Sequence, residues 1–218
     1  FKMEDVGELN PLLHVLEELR VDHTKNDEIL FHSGGPIGKT SRFSMIPVLD
    51  DLRVVFRQPD DNTAPTDRNP LIGELDLRLT PPVLLEFQVR SGAGWTTTRN
   101  ESHVKLEAAL QSVSELEVLG SVDPSSGLSP GGFVGVLGYD LGQWTSQMRM
   151  KNTPEHNEVL GVLWRTKGWI IHDRKESSIT TLGHSPMSEE EVRLSVRGIT
   201  ETMPVSYTHL TLPTTDRV

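Results

Sequence analysis

Ser33-Gly-Gly-Pro-Ile-Gly-Lys39-Thr40 followed by Ser41-Arg-Phe-Ser-Met-Ile-Pro47 is the stretch on which the fold turns. Its first eight residues come within one position of the phosphate-binding pattern G-x-x-x-x-G-K-[ST], in which backbone N–H groups and the Lys hold phosphates and the hydroxyl holds Mg²⁺. That pattern works where a helix begins at the Lys, so that its amino-terminal dipole meets the anion. Here Ser33 replaces the first Gly, and the residues after Thr40 have β character and run into Pro47, which would break a young helix. Ile170-Ile-His-Asp173 offers the nucleotide-binding reading a strand-end Asp for Mg²⁺, yet apolar strands ending in Asp are common. The stretch therefore reads as a Gly-rich hairpin or ligand loop, with a P-loop nucleotide-binding protein as the rival of another class.

Outward from this loop, β-like runs are expected at Ile29 to His32, Arg42 to Ile46, Leu52 to Phe56, Leu75 to Leu79 and Val83 to Val89. Gln58 to Asn69, rich in Asp with two Pro, reads as a mobile surface loop. Upstream, Asn10 can cap a helix with Pro11 at its first position, and Leu12, Leu13, Val15, Leu16 and Leu19 form its apolar stripe, ending before Asp22. Downstream, the spacing predicts a helix over Glu101 to Leu119, with Val104, Leu106, Ala109, Leu110, Val113 and Leu116 on one face and Gly120 as its stop. Phe133 to Tyr139 is a Gly-interrupted strand, where glycines point to a close backbone or ligand. Val159 to Trp164 and Gly168 to Asp173 read as strands separated by a short turn, with Ser178 to Leu182 as hairpin partner. Ser188 with Glu191 forms a capping box opening a last helix that carries Val192, Val196 and Ile199. The strands cluster with too few helices between them for parallel crossovers, so the fold class is α+β with a mainly antiparallel sheet and a few packed helices.

Composition excludes several function classes. At 218 residues, 35% hydrophobic and 24% charged, the chain has the make-up of a soluble globular protein. The net charge of −10 repels phosphate backbones, and Lys and Arg form no basic block, so no nucleic acid partner is expected. Without Cys there is no disulfide or thiolate chemistry, which suits the cytoplasm. No apolar run approaches the roughly 20 residues of a spanning helix, so no membrane partner is expected. Eight His are scattered without metal-ligand spacing, so no metal site is expected. The start at Phe1 reads as a fragment edge. Residues 205–218 read as a non-native, adapter-like tail, leaving 1–204 as the folded unit.

Two motifs carry a family resemblance. Leu30-Phe-His-Ser-Gly34, then six residues, then Ser41-Arg-Phe43 is similar to the amino-terminal region of the anthranilate synthase and aminodeoxychorismate synthase component I family. Gly131-Gly-Phe-Val-Gly-Val-Leu-Gly-Tyr-Asp-Leu-Gly142 resembles the family's Gly-Gly-x-x-Gly-x-x-Gly-Tyr-Asp signature. His32, where anthranilate synthases typically carry Glu, and Leu141-Gly142 tilt the resemblance toward the aminodeoxychorismate, folate-branch members. The likeness spans Glu28 to His184, including an Asp-ended hairpin at Gly168 to Asp173. It departs at Gln143-Trp144, where the family has an aromatic residue and then Glu, and at Lys39-Thr40, where relatives carry an aromatic residue.

The resemblance implies a tryptophan-like pocket lined by Leu30, His32, Ser33, Thr40, Ser41, Arg42 and Phe43. The residues themselves leave alternatives open: Ser33 binds an ammonium or carboxylate or caps a turn, Arg42 covers an indole or makes an internal ion pair, and Phe43 lines the pocket or fills core. Gly138, Tyr139 and Asp140 read as packing, with Asp140 satisfying backbone groups at a turn. His172-Asp173 reads as a strand end, not a catalytic dyad. The resemblance further implies a full-length enzyme that aminates chorismate with ammonia from a glutamine amidotransferase partner, using Mg²⁺ held by a carboxyl-terminal half. That half would carry the catalysis. The same motifs leave anthranilate synthase, with a tryptophan feedback site, as the close alternative; this chain alone is expected to be inactive.

Overall fold

One 15-residue strand, β1 (Phe43–Arg57), is the spine of the molecule. The structure, a computed structural model, describes residues 10–22, 27–34, 36–38, 41–59, 82–92, 94–117, 120, 122–124, 127–145, 157–184, 188 and 190–192. Along one edge β1 pairs antiparallel with β2 (Val83–Ser91), which pairs with β3 (Gly94–His103). Along the other edge lies β5 (Val159–Asp173), which carries both β4 (Gly132–Leu137) and β6 (Ser178–Gly183). The order is β3-β2-β1-β5-β4 with β6 also on β5, and every pairing is antiparallel. This is the α+β, mainly antiparallel architecture expected.

Two helices pack on the sheet in separate buried clusters. Side chains alternate along a strand, and the even-numbered residues of β1 enter both buried clusters. Ile46 and Val48 pack with Leu12, Val15 and Leu16 of α1 (Pro11–Asp22), while Val54 and Phe56 pack in the cluster of Leu106, Ala109 and Val113 of α2 (Leu106–Ser114). Asn10 caps α1, its Oδ1 accepting from Leu12 N at 3.1 Å. The α1 stripe is narrower than expected, for Leu13 is exposed, and the helix runs through Asp22. The Ser188–Glu191 box forms in both directions, Ser188 N donating to Glu191 Oε2 at 2.7 Å and Glu191 N to Ser188 Oγ at 3.2 Å. Val196 and Ile199 lie outside the described residues, as do the run at Leu75 to Leu79 and the boundary at 204.

The expected helix over Glu101 to Leu119 is corrected at both ends. Glu101, Ser102 and His103 extend β3, opposite Leu85, Leu84 and Val83. Lys105 is still extended, α2 starts at Leu106, and Val104 is exposed instead of sharing the apolar face. The helix stops at Ser114, Glu115 N closing on Gln111 O at 3.2 Å, so Gly120 is not its stop. Ile29 to His32 makes a single bridge, Phe31 to Met45, instead of a strand. Gln58, assigned to the surface loop, is buried: its backbone pairs with Glu158 and Asn157, and its Oε1 accepts from Gln143 Nε2 at 3.4 Å.

The turn expected between Trp164 and Gly168 is a β-bulge within continuous β5. Val48 opposes Gly168 and Leu49 opposes Thr166, which leaves Lys167 as the extra residue against β1. Gly168 is needed there, because a Cβ would stand 2.1 Å from the carbonyl oxygen of His184. The glycines of β4 act likewise on backbone: a Cβ on Gly135 would sit 1.9 Å from Val162 O.

Candidate functional site

The segment Leu30 to Ser33 lies against the start of β1 because its backbone finds partners there. Phe31 N donates to Met45 O at 2.9 Å and Met45 N to Phe31 O at 2.8 Å. Ser33 adds a side-chain clamp, its hydroxyl donating to Phe43 O and its N–H donating to Ser44 Oγ at 3.1 Å. Leu30, Phe31, His32, Ser33, Arg42, Phe43 and Met45 thereby line a shallow recess of about 370 Å³. Five of the seven expected pocket residues meet here.

Each has a defined role. Arg42 forks onto Asp173 at the end of β5, Nε lying 2.9 and 3.0 Å from the two carboxylate oxygens with Nη2 on one of them, and its guanidinium stands 4.7 Å from the centre of the Phe43 ring. That hydrogen-bonded guanidinium, followed by the backbone N–H groups of Glu176 and Lys175, holds the Asp173 carboxyl below the usual carboxylate range against the opposing effect of burial. Nη1 of Arg42 makes no hydrogen bond among the described residues. Asn10 Oδ1 is committed to the α1 cap, so its Nδ2 donates to His32 Nδ1 at 2.8 Å and the exposed His32 ring keeps Nε2 for solvent or ligand. The recess thus offers an aromatic ring, apolar Leu30 and Met45, and polar groups at its rim. That chemistry suits a flat apolar group bearing a charged head.

Ser41 does not build the recess. Its hydroxyl donates to Pro36 O at 2.6 Å and accepts from Gly38 N at 2.9 Å, closing the loop ahead of β1. Thr40 lies outside the described residues, as does Lys39. After them come a bend at Ser41 and Arg42 and then β1, and among the described residues every strand pairing is antiparallel.

Gly138, Tyr139 and Asp140 stand near the opposite end of β5, roughly 40 Å from Asp173 at the rise of a strand. Gly138 N donates to Leu160 O at 2.7 Å, and a Cβ there would stand 2.7 Å from the same oxygen, so close backbone contact explains this glycine. Tyr139 is 75% exposed, which corrects its packing assignment. It opens a 3-10 helix, Tyr139–Trp144, whose buried side is Leu141, Gln143 and Trp144. Asp140 takes no hydrogen bond among the described residues, so it does not satisfy the turn.

Sequence reading missed Phe31 and Met45 as lining residues and Asp173 as the partner of Arg42. The two-residue step from Phe43 to Met45 on a strand would have flagged one of them. His172 and Asp173, being adjacent on β5, point to opposite faces and form no dyad. Burial, followed by the neighbouring Arg174, pushes the His172 pKa down. Among the described residues no group of three His, Asp or Glu is placed to hold a metal ion, and no helix is long and apolar enough to cross a membrane. Comparison with protein-family models and with curated proteins returns no match.

Proposed function

We propose that the chain is the amino-terminal, non-catalytic part of a chorismate-utilising synthase of the aminodeoxychorismate type, and that its recess takes tryptophan or a similar amino acid. The observation that carries this reading is the antiparallel seating of Leu30 to Ser33 on the start of β1, in the one sheet that also holds the Gly132–Leu137 motif strand. Two motifs about 100 residues apart are thereby joined through β5. The Phe43 ring and Nη1 of Arg42, unbonded among the described residues, would supply a stacking surface and a carboxylate donor for such a ligand.

In this reading the full-length enzyme is cytoplasmic, receives ammonia from a glutamine amidotransferase and makes 4-amino-4-deoxychorismate for folate synthesis. Mg²⁺ and the catalytic residues belong to a carboxyl-terminal chorismate-binding half, and no chemical step is assigned to this chain. Calorimetric titration with L-tryptophan tests the recess: saturable binding that weakens on Arg42→Ala is expected. Chorismate, ammonia and Mg²⁺ added to the chain alone should give no turnover, whereas the full-length gene product should release the folate-branch amine and not anthranilate. Binding of ATP that disappears on Lys39→Ala would overturn the reading in favour of a nucleotide-binding protein.

A further inference from the structure

A second cleft, of about 380 Å³, opens at the carboxyl-terminal end of α1. Its apolar wall is Leu16 and Leu19 of α1 with Ile46, Val48 and Leu49 of β1. The cleft and the recess have no lining residue in common. Lys167 and His184 stand together on its rim.

Their placement follows from local backbone devices. Lys167 is the bulge residue of β5, and bulges commonly re-aim a side chain beside a site. His184 is fastened next to it, its N–H donating to Lys167 O at 2.9 Å. This approach requires glycine at two places: Gly168, where a Cβ would meet His184 O, and Gly183, at φ +75° and against Lys167 O.

The charges of the cleft are unevenly satisfied. Glu28 is paired with Arg20 at 2.5 Å, and Asp27 is held by Arg90, by Arg53 and by Trp95 Nε1 at 3.0 Å. Asp50, the acid whose field Lys167 reaches, is taken by Arg165 Nε at 2.8 Å. Among the described residues no carboxylate lies within ion-pair distance of Lys167. Among the described residues, then, the Lys167 ammonium has no ion-pair partner and lines a cleft with an apolar wall, in a chain whose net charge is −10.

We propose that this cleft binds a small amphipathic monocarboxylate, its apolar body on Leu16, Leu19, Ile46 and Val48 and its carboxylate on Lys167 and His184. A cation-headed ligand would be repelled by the Lys167 ammonium, and a neutral one would gain no charge-assisted hydrogen bond from it. The proposal does not depend on the synthase reading, which concerns the separate set of residues that lines the recess.

The test is a calorimetric and NMR titration of the chain with 3-phenylpropionate, 3-phenylpropanol and 3-phenylpropylamine. The carboxylate should bind saturably and the alcohol about tenfold more weakly, the loss of one charge-assisted hydrogen bond. The amine should not bind. Lys167→Gln should weaken the carboxylate by a similar factor, whereas Lys175→Gln, in the turn after β5, should change nothing. Raising salt should weaken binding to the unaltered chain, a readout independent of how any variant folds. Equal affinity for acid and alcohol, absence of saturable binding, or indifference to both Lys167→Gln and salt would overturn it. L-tryptophan should leave the 3-phenylpropionate affinity unchanged, which separates this cleft from the recess.

Discussion

Arg42 and Asp173, 131 residues apart in the chain, are locked by a forked ion pair that ties the loop ahead of β1 to the end of β5. The carboxylate also accepts from Lys175 N at 3.0 Å and Glu176 N at 3.3 Å, so one side chain shapes the hairpin turn and anchors it. Acid should dissolve this. The Asp173 pKa is depressed in the fold, chiefly by the hydrogen bond from Arg42. Its stabilisation is therefore fully present above the ordinary carboxylate value of about 4 and is lost as pH falls through the lower folded value. Urea midpoints followed from neutral pH into this acid range should fall less steeply for Asp173→Asn than for the parent chain.

A second group titrates the same way in a higher window. His172 is neutral by preference because burial, then Arg174, depresses its pKa, so protonation opposes folding as pH drops from about 6.5 downward. His172→Gln should remove that upper part of the pH dependence and leave the lower part. Midpoints unchanged between neutrality and pH about 5 in the parent would contradict the depressed value.

Gly135 and Gly142 make a matched pair. A Cβ at Gly135 would collide with Val162 O at 1.9 Å, whereas nothing stands within 4 Å of one at Gly142. Gly135→Ala is expected to destabilise by about 1–3 kcal/mol as β4 is forced off β5, and Gly142→Ala by less than about 0.5 kcal/mol. Guanidinium unfolding measures both.

Burial separates two aromatic residues as sharply. Phe56 is fully buried between β1 and α2, so Phe56→Ala should cost about 3–5 kcal/mol. Tyr139→Ala, at an exposed position, should stay within about 0.5 kcal/mol. A large loss at Tyr139 in the same denaturation assay would mean that its ring is packed.

At the start of α1, Asn10→Ala should cost about 1 kcal/mol through the lost cap. Asn10→Asp should retain the cap bond to Leu12 N but lose the donor to His32, so the helix survives while the tie to the recess is released. Amide exchange of Leu12 and Phe31 would resolve the two effects.

These outcomes also mark where the residues were legible. Asn10-Pro11 and Ser188 with Glu191 are local devices, and both caps formed as read. The apolar runs of β1 and β2 likewise showed through, although Arg42 to Ile46 and Leu52 to Phe56, read as two strands, merge into the single strand Phe43–Arg57, in which Ile46 to Val48 and Val54 to Phe56 are buried without alternation. β3 did not: Gly94 to His103 is a polar edge strand, with no apolar alternation to betray it, and its last residues were absorbed into the helix pattern that follows. β5 was divided in two because Lys167-Gly168 imitates a turn; only the approach of His184 reveals why the glycine is there. For the candidate site, the family resemblance of Leu30 to Phe43 pointed to five residues that line the recess, while the residues themselves left their roles open. It was silent on Asp173, whose partnership with Arg42 exists only after distant segments meet.

The central pair of the sheet has a consequence for synthesis. Asp50 and Arg165, joined across β1 and β5, are 115 residues apart, and closing so wide a span is slow because its entropy is lost before contacts repay it. A nascent chain must have left the ribosome past Asp173 before β1, already able to pair with β2, can fill its other edge with β5. Until then the apolar residues of β1 depend on β2 and the two helices for shelter, which makes this interval the one in which chaperones would meet the protein.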